Sequence, residues 1–343
     1  MGVSIEETEL DFKITSEIGF SEGELDFYLS PEEGASPVDV LDKADIPDRP
    51  ASRVGDCYQL GRHKLLCGDA RKTQSYVRLL GGSLADLVIT DVPYNVPIAG
   101  HVSGLGRQAH REFVMASGEL SRTEFHDLLR SSLGAMVQTS KSGAVHYIFI
   151  DWRHIQELQE ATQGLYSELL NICVWNKTNG GMGSLYRSKH ELILVQKVGS
   201  APHTNNVELG SNGRYRSNVW DYPGNSSFGS KRADALAMHP TVKPVALVAD
   251  AIQDCSRRGE TVLDGFCGSG TTLLAAERTH RIACGIELDP GYVDITLNRW
   301  MRVTGQTPVL MPDNIPWPEV REQRRGEAQK NGTVDRLRAG GRS

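Results

Sequence analysis

No apolar stretch in this chain approaches the roughly 20 residues needed to cross a bilayer, so a membrane-embedded protein is not expected. The amino terminus lacks a basic segment followed by an apolar one, the pattern of a secretory leader, and a cytoplasmic location is the expectation. Cysteine is sparse. The six residues (Cys57, Cys67, Cys173, Cys255, Cys267, Cys284) are scattered, and no two form a Cys-x-x-Cys pair. That spacing argues against a zinc site or a dithiol redox motif, so no metal is expected and the thiols are read as reduced.

What is present is the material of an ordinary globular protein. The chain has 343 residues, 39% hydrophobic and 23% charged, enough for one large domain or two moderate ones. Its net charge of −6 is ill suited to a polyanionic partner until it is divided along the sequence. Residues 1–50 hold fourteen acids and three bases, a charge of −11 that leaves +5 on the remainder. Within 176–232, eight bases face three acids. That excess would attract a phosphate backbone, although a solvated polar surface has the same composition.

Residues 1–52 are acidic and rich in Pro, Ser and Gly, and read as a weakly ordered arm with a short helix near 21–29. Residues 53–311 carry the periodic pattern of a domain. Residues 312–343 lose that pattern, turn basic beyond Arg321 and read as a disordered polar tail. Inside the domain, strand-like segments at 63–67, 87–90, 144–150, 169–175, 192–197, 261–264 and 282–286 alternate with helical ones. The helices fall at 73–80, 121–139, 154–163, 242–255, 271–278 and 290–303, and the third strand-to-helix turn ends at Asp151, read as a helix cap. Ser121 with Glu124 three residues on has the form of a capping box. Residues 97–118 form a long polar loop, and 198–238 show no sustained period. Alternation of this kind predicts an α/β fold with a mostly parallel sheet, helices on both faces, and ligands at the carboxyl ends of strands.

Two polar motifs fall at such strand ends. The first is Asp91-Val92-Pro93-Tyr94-Asn95, after the apolar run at 87–90. The Asp91 carboxylate and the Pro93 carbonyl are two acceptors for an exocyclic amine, and Tyr94 offers a face on which a flipped base would stack. By itself the segment fits a strand followed by a proline turn equally well. The second motif is Asp264-Gly265-Phe266-Cys267-Gly268-Ser269-Gly270-Thr271-Thr272, followed one strand later by Glu287. Glycines admit close approach of a ligand to the backbone, and an acid at the next strand end suits ribose hydroxyls. A dinucleotide fingerprint would need a third glycine where Leu273 stands, and a Walker loop would need Gly-Lys-Ser/Thr, which is absent. An adenosine-containing ligand or a plain strand–helix turn both remain open from this loop alone.

Taken together the motifs resemble those of DNA amino-methyltransferases. Leu263 to Thr272 is similar to the S-adenosylmethionine loop, whose usual form is Asp-Pro-Phe-x-Gly-Ser-Gly-Thr. Asp91 to Tyr94 is similar to the catalytic Asp-Pro-Pro-Tyr, and His239-Pro240-Thr241-Val242-Lys243-Pro244 is similar to a third signature. The order, catalytic motif first and cofactor loop last, is the permuted one of the beta class, and the resemblance spans residues 56–304. Trp175-Asn176-Lys177 and Ser188-Lys189-His190-Glu191 also resemble segments of bacterial and phage modification methylases that often carry a ParB-like domain. The chain departs from the pattern at Val92 and Gly265, each in place of a proline. Val92 is expected to be tolerated, and Gly265 to loosen the loop.

The resemblance implies a Rossmann-like methyltransferase fold and methyl transfer from S-adenosylmethionine to N6 of a flipped adenine in double-stranded DNA, and it admits a homodimer. Asp91, Pro93, Tyr94 and Asn95 would form the catalytic group, with Asn95 ordering the loop. Residues 264–272 and Glu287 would hold the cofactor, with Asp69 at its adenine amine and Thr241 and Lys243 at its methionine carboxylate. His190 and Glu191 are read as pocket rim and not as catalytic groups. Lys177, Arg187, Asn205, Arg214, Arg216, Asn218 and Trp220 are the candidate DNA contacts, with 198–238 as the target-recognition insertion. An N4-cytosine enzyme usually has Ser at the position of Asp91, so adenine is favoured. Cytosine N4 transfer and a catalytically silent DNA-binding protein of the same fold are the alternatives.

Overall fold

The computed structural model describes residues 49–95, 118–177, 180, 185–210, 214–224 and 242–327. Strands β1 (Cys57–Leu60), β2 (His63–Cys67), β3 (Ala85–Asp91), β4 (Ser140–Ile150), β5 (Glu168–Asn176), β6 (His190–Lys197), β7 (Val219–Asp221), β8 (Thr261–Asp264), β9 (Ile282–Glu287), β10 (Val309–Met311) and β11 (Ile315–Pro316) form one sheet. Its order is β11-β10-β1-β2-β9-β8-β3-β4-β6-β5-β7. The five central strands β2, β9, β8, β3 and β4 are parallel. The flanks bring in antiparallel pairs, β4 with β6 and β6 with β5 on one side, and β2 with β1 and β1 with β10 on the other. The expected parallel sheet is therefore the centre of a mixed one.

Helices cover both faces, and the strand side chains divide between them. On β3, Leu87 and Ile89 join one buried cluster while Val88 joins the other; on β4, Tyr147 and Phe149 alternate with Ile148 and Ile150 in the same way. This two-residue period on strands buried on both sides is why they read as continuous apolar runs in the sequence. The first cluster is closed by α4 (Val245–Asp254), α5 (Thr271–Arg278) and α6 (Pro290–Thr304), the second by α1 (Thr73–Leu80), α2 (Arg122–Gln138) and α3 (Ile155–Thr162). Ser121 caps α2 through the capping box with Glu124, and Asp151 caps the short turn Trp152–His154 by accepting from the Arg153 amide.

Three segments depart from the sequence expectations. The chain does not lose structure at 312: after β10 and β11, a helix runs over 317–327. Trp317 is 1% exposed, meets Tyr58 edge-on and donates to Asn298 Oδ1 at 3.0 Å. Arg324 donates to the Ala51 carbonyl at 2.7 Å and pairs with Asp56, closing the end of the domain onto its beginning. Only a few side chains of this helix face the core, so its polar majority hides it from a reading by composition. Within 198–238, β7 adds to the sheet edge beside β5 and places Trp220 in the core. Lastly, β1, which the sequence reading passed over, pairs with both β2 and β10. Most of the acidic arm (1–48) and the end of the tail (328–343) lie outside the described residues.

Candidate active site

Strands β3 and β8 are parallel neighbours, with Leu87 opposite Val262 and Val88 opposite Leu263. The two polar motifs therefore leave the sheet side by side. The sheet continues from β3 to β4 in one direction and from β8 to β9 and β2 in the other, so the motifs flank a topological switch point, where α/β sheets open a crevice. Buried Thr90 donates to Asp264 Oδ1 at 3.0 Å and ties the two strand ends together.

Asp264 is the staple of the glycine loop. Its carboxylate also accepts from Thr272 Oγ1 at 2.6 Å and from the Phe266 amide at 3.0 Å. Burial pushes it up to about 6 in spite of these bonds. Gly268 and Gly270 have φ of 53° and 81°, and a Cβ on Gly270 would lie 2.5 Å from Thr296 Cγ2. Cys267, Ser269 and Thr271 are buried within the turn, and Arg299 donates to Ser269 O and Thr271 Oγ1, each at 3.1 Å. At Gly265 the proline of the family pattern has been replaced from outside: a Cβ there would fall 2.0 Å from Met136 Cε, so Met136 of α2 fills the space. Over Gly268, by contrast, the space where a side chain would stand is open.

One carboxylate borders that opening, and a second leaves the sheet beside it. Glu287, at the end of β9, accepts from the Gly268 amide and the Asp289 amide, both at 2.8 Å, and burial pushes it up to about 7. Cys67 at the end of β2 pairs with Glu287, so Asp69, two residues on, leaves the sheet alongside it. Arg71 grips Asp69 through Nε at 3.0 Å and Nη2 at 2.8 Å and holds its carboxyl below the usual range. An open glycine turn with acids at two successive strand ends fits an adenosyl ligand, with ribose hydroxyls donating to Glu287 and an exocyclic amine to Asp69.

The claw at β3 is built at the ends of four elements. Tyr94 donates its hydroxyl to Asp91 Oδ1 at 2.5 Å, and Lys243, just ahead of α4, donates to Asp91 Oδ2 at 2.5 Å. Glu191 of β6 lies on the far side. It accepts from Lys177 at 2.5 Å, and its second oxygen is 3.1 Å from the Tyr94 hydroxyl and 3.0 Å from Lys243 Nζ. The Lys243 ammonium also sits 5.3 Å from the Phe149 ring centre, 5.6 Å from that of Tyr94 and 5.8 Å from that of Trp175. The Asp91 side chain is 26% exposed, while those of Glu191 and Lys243 are 8% and 6%. Burial and the Glu191 charge push Asp91 above the usual carboxylate range, against the pull of Lys243. Glu191 goes the other way: burial opposes its ionisation, but Lys243 and Lys177 outweigh it and hold it at about 2.

Val92 turns inward, 1% exposed, into the cluster under α2 and α3, so the missing proline is replaced by a core residue. Asn95 does not reach the claw. Its side chain donates to the Leu120 carbonyl at 2.8 Å and accepts from the Gly118 amide at 3.0 Å, fastening residue 95 to the chain at 118–120. Lys243 was assigned from the resemblance to a methionine carboxylate; its ammonium here is held by Asp91 and Glu191. Thr241 lies outside the described residues, as do His239 and Pro240.

The candidate DNA contacts fare differently. Arg214, 7% exposed, binds Asp254 at 2.8 Å and Asp250 at 3.3 Å, and Arg216 binds Asp254 at 3.1 Å. Both arginines fasten the chain to α4 and do not face a phosphate backbone. Trp220 is 4% exposed. Asn205 accepts from the Val207 and Glu208 amides in a local turn, and Asn218 reaches the Ile172 carbonyl at 3.4 Å. Lys177 is held by Glu191 and the Trp175 ring, 4.6 Å away. Arg187 stands exposed next to Leu185 and Tyr186, each 83% exposed. Tyr215, 87% exposed between two inward-facing arginines, was not singled out; extended alternation across Arg214-Tyr215-Arg216 is the signal that would have found it. Among the described residues no cluster of His, Cys, Asp or Glu has the form of a metal site, and no helix is long and apolar enough to cross a membrane.

A switch-point crevice with a glycine turn on one side and a half-buried acid–tyrosine claw on the other suits group transfer with a nucleotide-like ligand. The DNA methylase family model for N6 and N4 amino-methyltransferases matches residues 85–298, and the chain belongs to that family. The type II methyltransferase M.HpaI of Haemophilus parainfluenzae is 25% identical over 252 residues, 69% of this chain and 73% of that protein. M.ScaI of Streptomyces caespitosus is 34% identical over 87 residues, 25% of this chain and 29% of that one. Among solved structures, the cytosine-N4-specific PvuII DNA methyltransferase shares the fold with a TM-score of 0.52 and 17% identity, covering 82% of this chain and 95% of that one.

Proposed function

We propose that this DNA methylase transfers a methyl group from S-adenosylmethionine to the exocyclic N6 of an adenine flipped out of double-stranded DNA. The observation that carries the reading is the placement of Asp91 with Tyr94 at the end of β3, directly beside the glycine turn that follows β8. When bound, the cofactor supplies an electrophilic methyl group. Glu287 would hold its ribose, Asp69 its adenine amine, and the backbone of 265–270 would run beneath it.

The exocyclic nitrogen is a weak nucleophile because its lone pair is delocalised into the ring. Donating one hydrogen to Asp91 and the other to the Pro93 carbonyl favours a tetrahedral nitrogen whose lone pair faces the methyl, and such alignment supplies much of the rate. As the new N–C bond forms, charge develops on nitrogen next to the Asp91 carboxylate. The nitrogen then sheds one proton to Asp91 Oδ. A carboxyl raised by burial takes that proton more readily than an ordinary one. Tyr94 stacks on the base, which must first leave the duplex. Asp rather than Ser at position 91 supports adenine over cytosine.

Incubating the protein with labelled cofactor and duplex DNA, followed by nucleoside mass spectrometry, tests this. N6-methyladenine is expected. N4-methylcytosine would move the reading to the other branch of the family, and no transfer to either base would refute the activity.

A further inference from the structure

Both Asp91 oxygens are already occupied. Tyr94 donates to Oδ1 and Lys243 to Oδ2, each at 2.5 Å, so the oxygen that would meet a target amine holds an ammonium group instead. An ammonium is a fair imitation of an amino group gaining charge, and it cannot stay there during reaction: two positive nitrogens on one carboxylate repel each other in a low-dielectric pocket. A place to go is already in contact. Glu191 Oε2 is 3.0 Å from Lys243 Nζ, and the charge of Glu191 is fixed by Lys177 on its other oxygen. Glu191 is thus built to stay ionised next to an acid that is pushed the other way.

Taking the proposed methyl transfer as given, we infer that Lys243 is the resident occupant of the catalytic claw, displaced by the target amine, and that Glu191 is the positioning residue that receives it. Lys243 keeps Asp91 ionised and aimed while the site waits. When the amine arrives, the ammonium gives up one of two acceptors and keeps the other. Losing that cation makes Asp91 a stronger base at the step in which it must take a proton. Among the described residues the groups facing Asp91 are Tyr94 from its own loop, Lys243 ahead of α4, Glu191 of β6 with Lys177 just past β5 behind it, and Asp264 of β8.

A double-mutant cycle with pH profiles tests the hand-over. Among the described side chains, Glu191→Gln leaves Lys243 only Asp91 as an anionic partner. We expect kcat to fall on the order of tenfold to a hundredfold, with cofactor affinity unchanged and with the acidic limb of the profile moved to lower pH. Lys243→Met removes the cation, and the limb should move the opposite way, up by about one unit or more. In the double variant, adding Glu191→Gln to Lys243→Met should have little further effect, because nothing remains to be received. If Lys243→Met does not fold, Lys243→Gln serves in the same comparison. Multiplying losses, or limbs that move together, would show that Glu191 only props Tyr94 and Lys177, and would overturn the inference. Titration of Asp91 by carbon NMR in the cofactor-free protein separates the two readings. A higher titration point in Lys243→Met without any wild-type methyl transfer would sink the proposed activity and leave the resident pairing standing. An unmoved titration point would sink the pairing itself.

Discussion

Two buried charge clusters in this molecule use the same chemistry to different ends. At the flank of the sheet, Arg214 and Arg216 meet Asp250 and Asp254, with Tyr222 donating to Asp250 and accepting from Arg216 at 2.9 Å. At the switch point, Lys177 and Lys243 meet Glu191 and Asp91, with the Tyr94 hydroxyl between the two acids, donating to Asp91 and 3.1 Å from Glu191. Each has two cations, two carboxylates and a tyrosine. The flank cluster joins a loop to one helix, and its arginine forks hold several acceptors at once. The switch-point cluster joins the ends of four elements with lysines, which bond as point charges, and its Asp91 is still 26% exposed. Residue type does not tell a clamp from a site; what does is the position at the carboxyl ends of strands and the presence of one group with an alternative partner.

The comparison is broken most forcefully at the clamp. Among the described residues, Arg214→Ala leaves Asp254 with Arg216 as its one remaining cation, and unfolding free energy should fall by about 3 kcal/mol in a denaturant titration. DNA affinity per folded molecule should stay as it was, whereas a weakened salt-dependent affinity would return Arg214 to the interface. At the other cluster the effect should be on rate and not on stability. Asp91→Ala should lower methyl transfer by about 10²–10³-fold, with cofactor binding by calorimetry retained. Normal turnover would remove Asp91 from the chemistry. On the cofactor side, Glu287→Ala should weaken binding by about 1.5–3 kcal/mol, the worth of hydrogen bonds to a charged group; unchanged affinity would refute its assignment.

The smallest effect is one of pH. Glu287 is pushed up to about 7, so it protonates as pH falls through that value and loses an acceptor for the ribose hydroxyls. Cofactor affinity should therefore decline below pH 7, by up to about tenfold per unit, and Glu287→Gln should flatten the dependence. Stability runs in the opposite sense. A folded-state value above the unfolded one stabilises the fold fully below the unfolded value, and the contribution is lost as pH rises through about 7. A melting temperature that rises with pH across that window in wild type but not in Glu287→Gln would contradict the assignment.

Much of the fold was legible because strands buried on both faces must be apolar throughout, and β3, β4, β6, β8 and β9 are short runs of that kind. The capping box at Ser121 was legible because two side chains satisfy two amides at a fixed spacing. The helix over 317–327 was not, since it buries only a narrow stripe led by Trp317. Of the candidate site, Asp91, Tyr94, Glu287 and the glycine turn are brought to one crevice. Arg214 and Arg216, expected at DNA, pair with acids of α4, because an arginine in a polar stretch looks the same in sequence whether its partner is a phosphate or an aspartate 40 residues away; Trp220 packs into the core.

Local chemistry is written in the sequence. A proline after an acid, glycines at left-handed positions and an alternating apolar pattern each restrict the chain within a few residues; they suffice to predict an α/β fold with two polar motifs at strand ends, and the likeness of those motifs to a known family adds the methylase. Charge partnership is not local. Asp91 and Lys243 are 152 residues apart and Tyr94 and Glu191 are 97 apart, and only the sheet order decides that they meet. Because electrostatic energy depends on distance and burial rather than on sequence neighbours, the tertiary structure alone decided which of the charged residues became clamp and which became site.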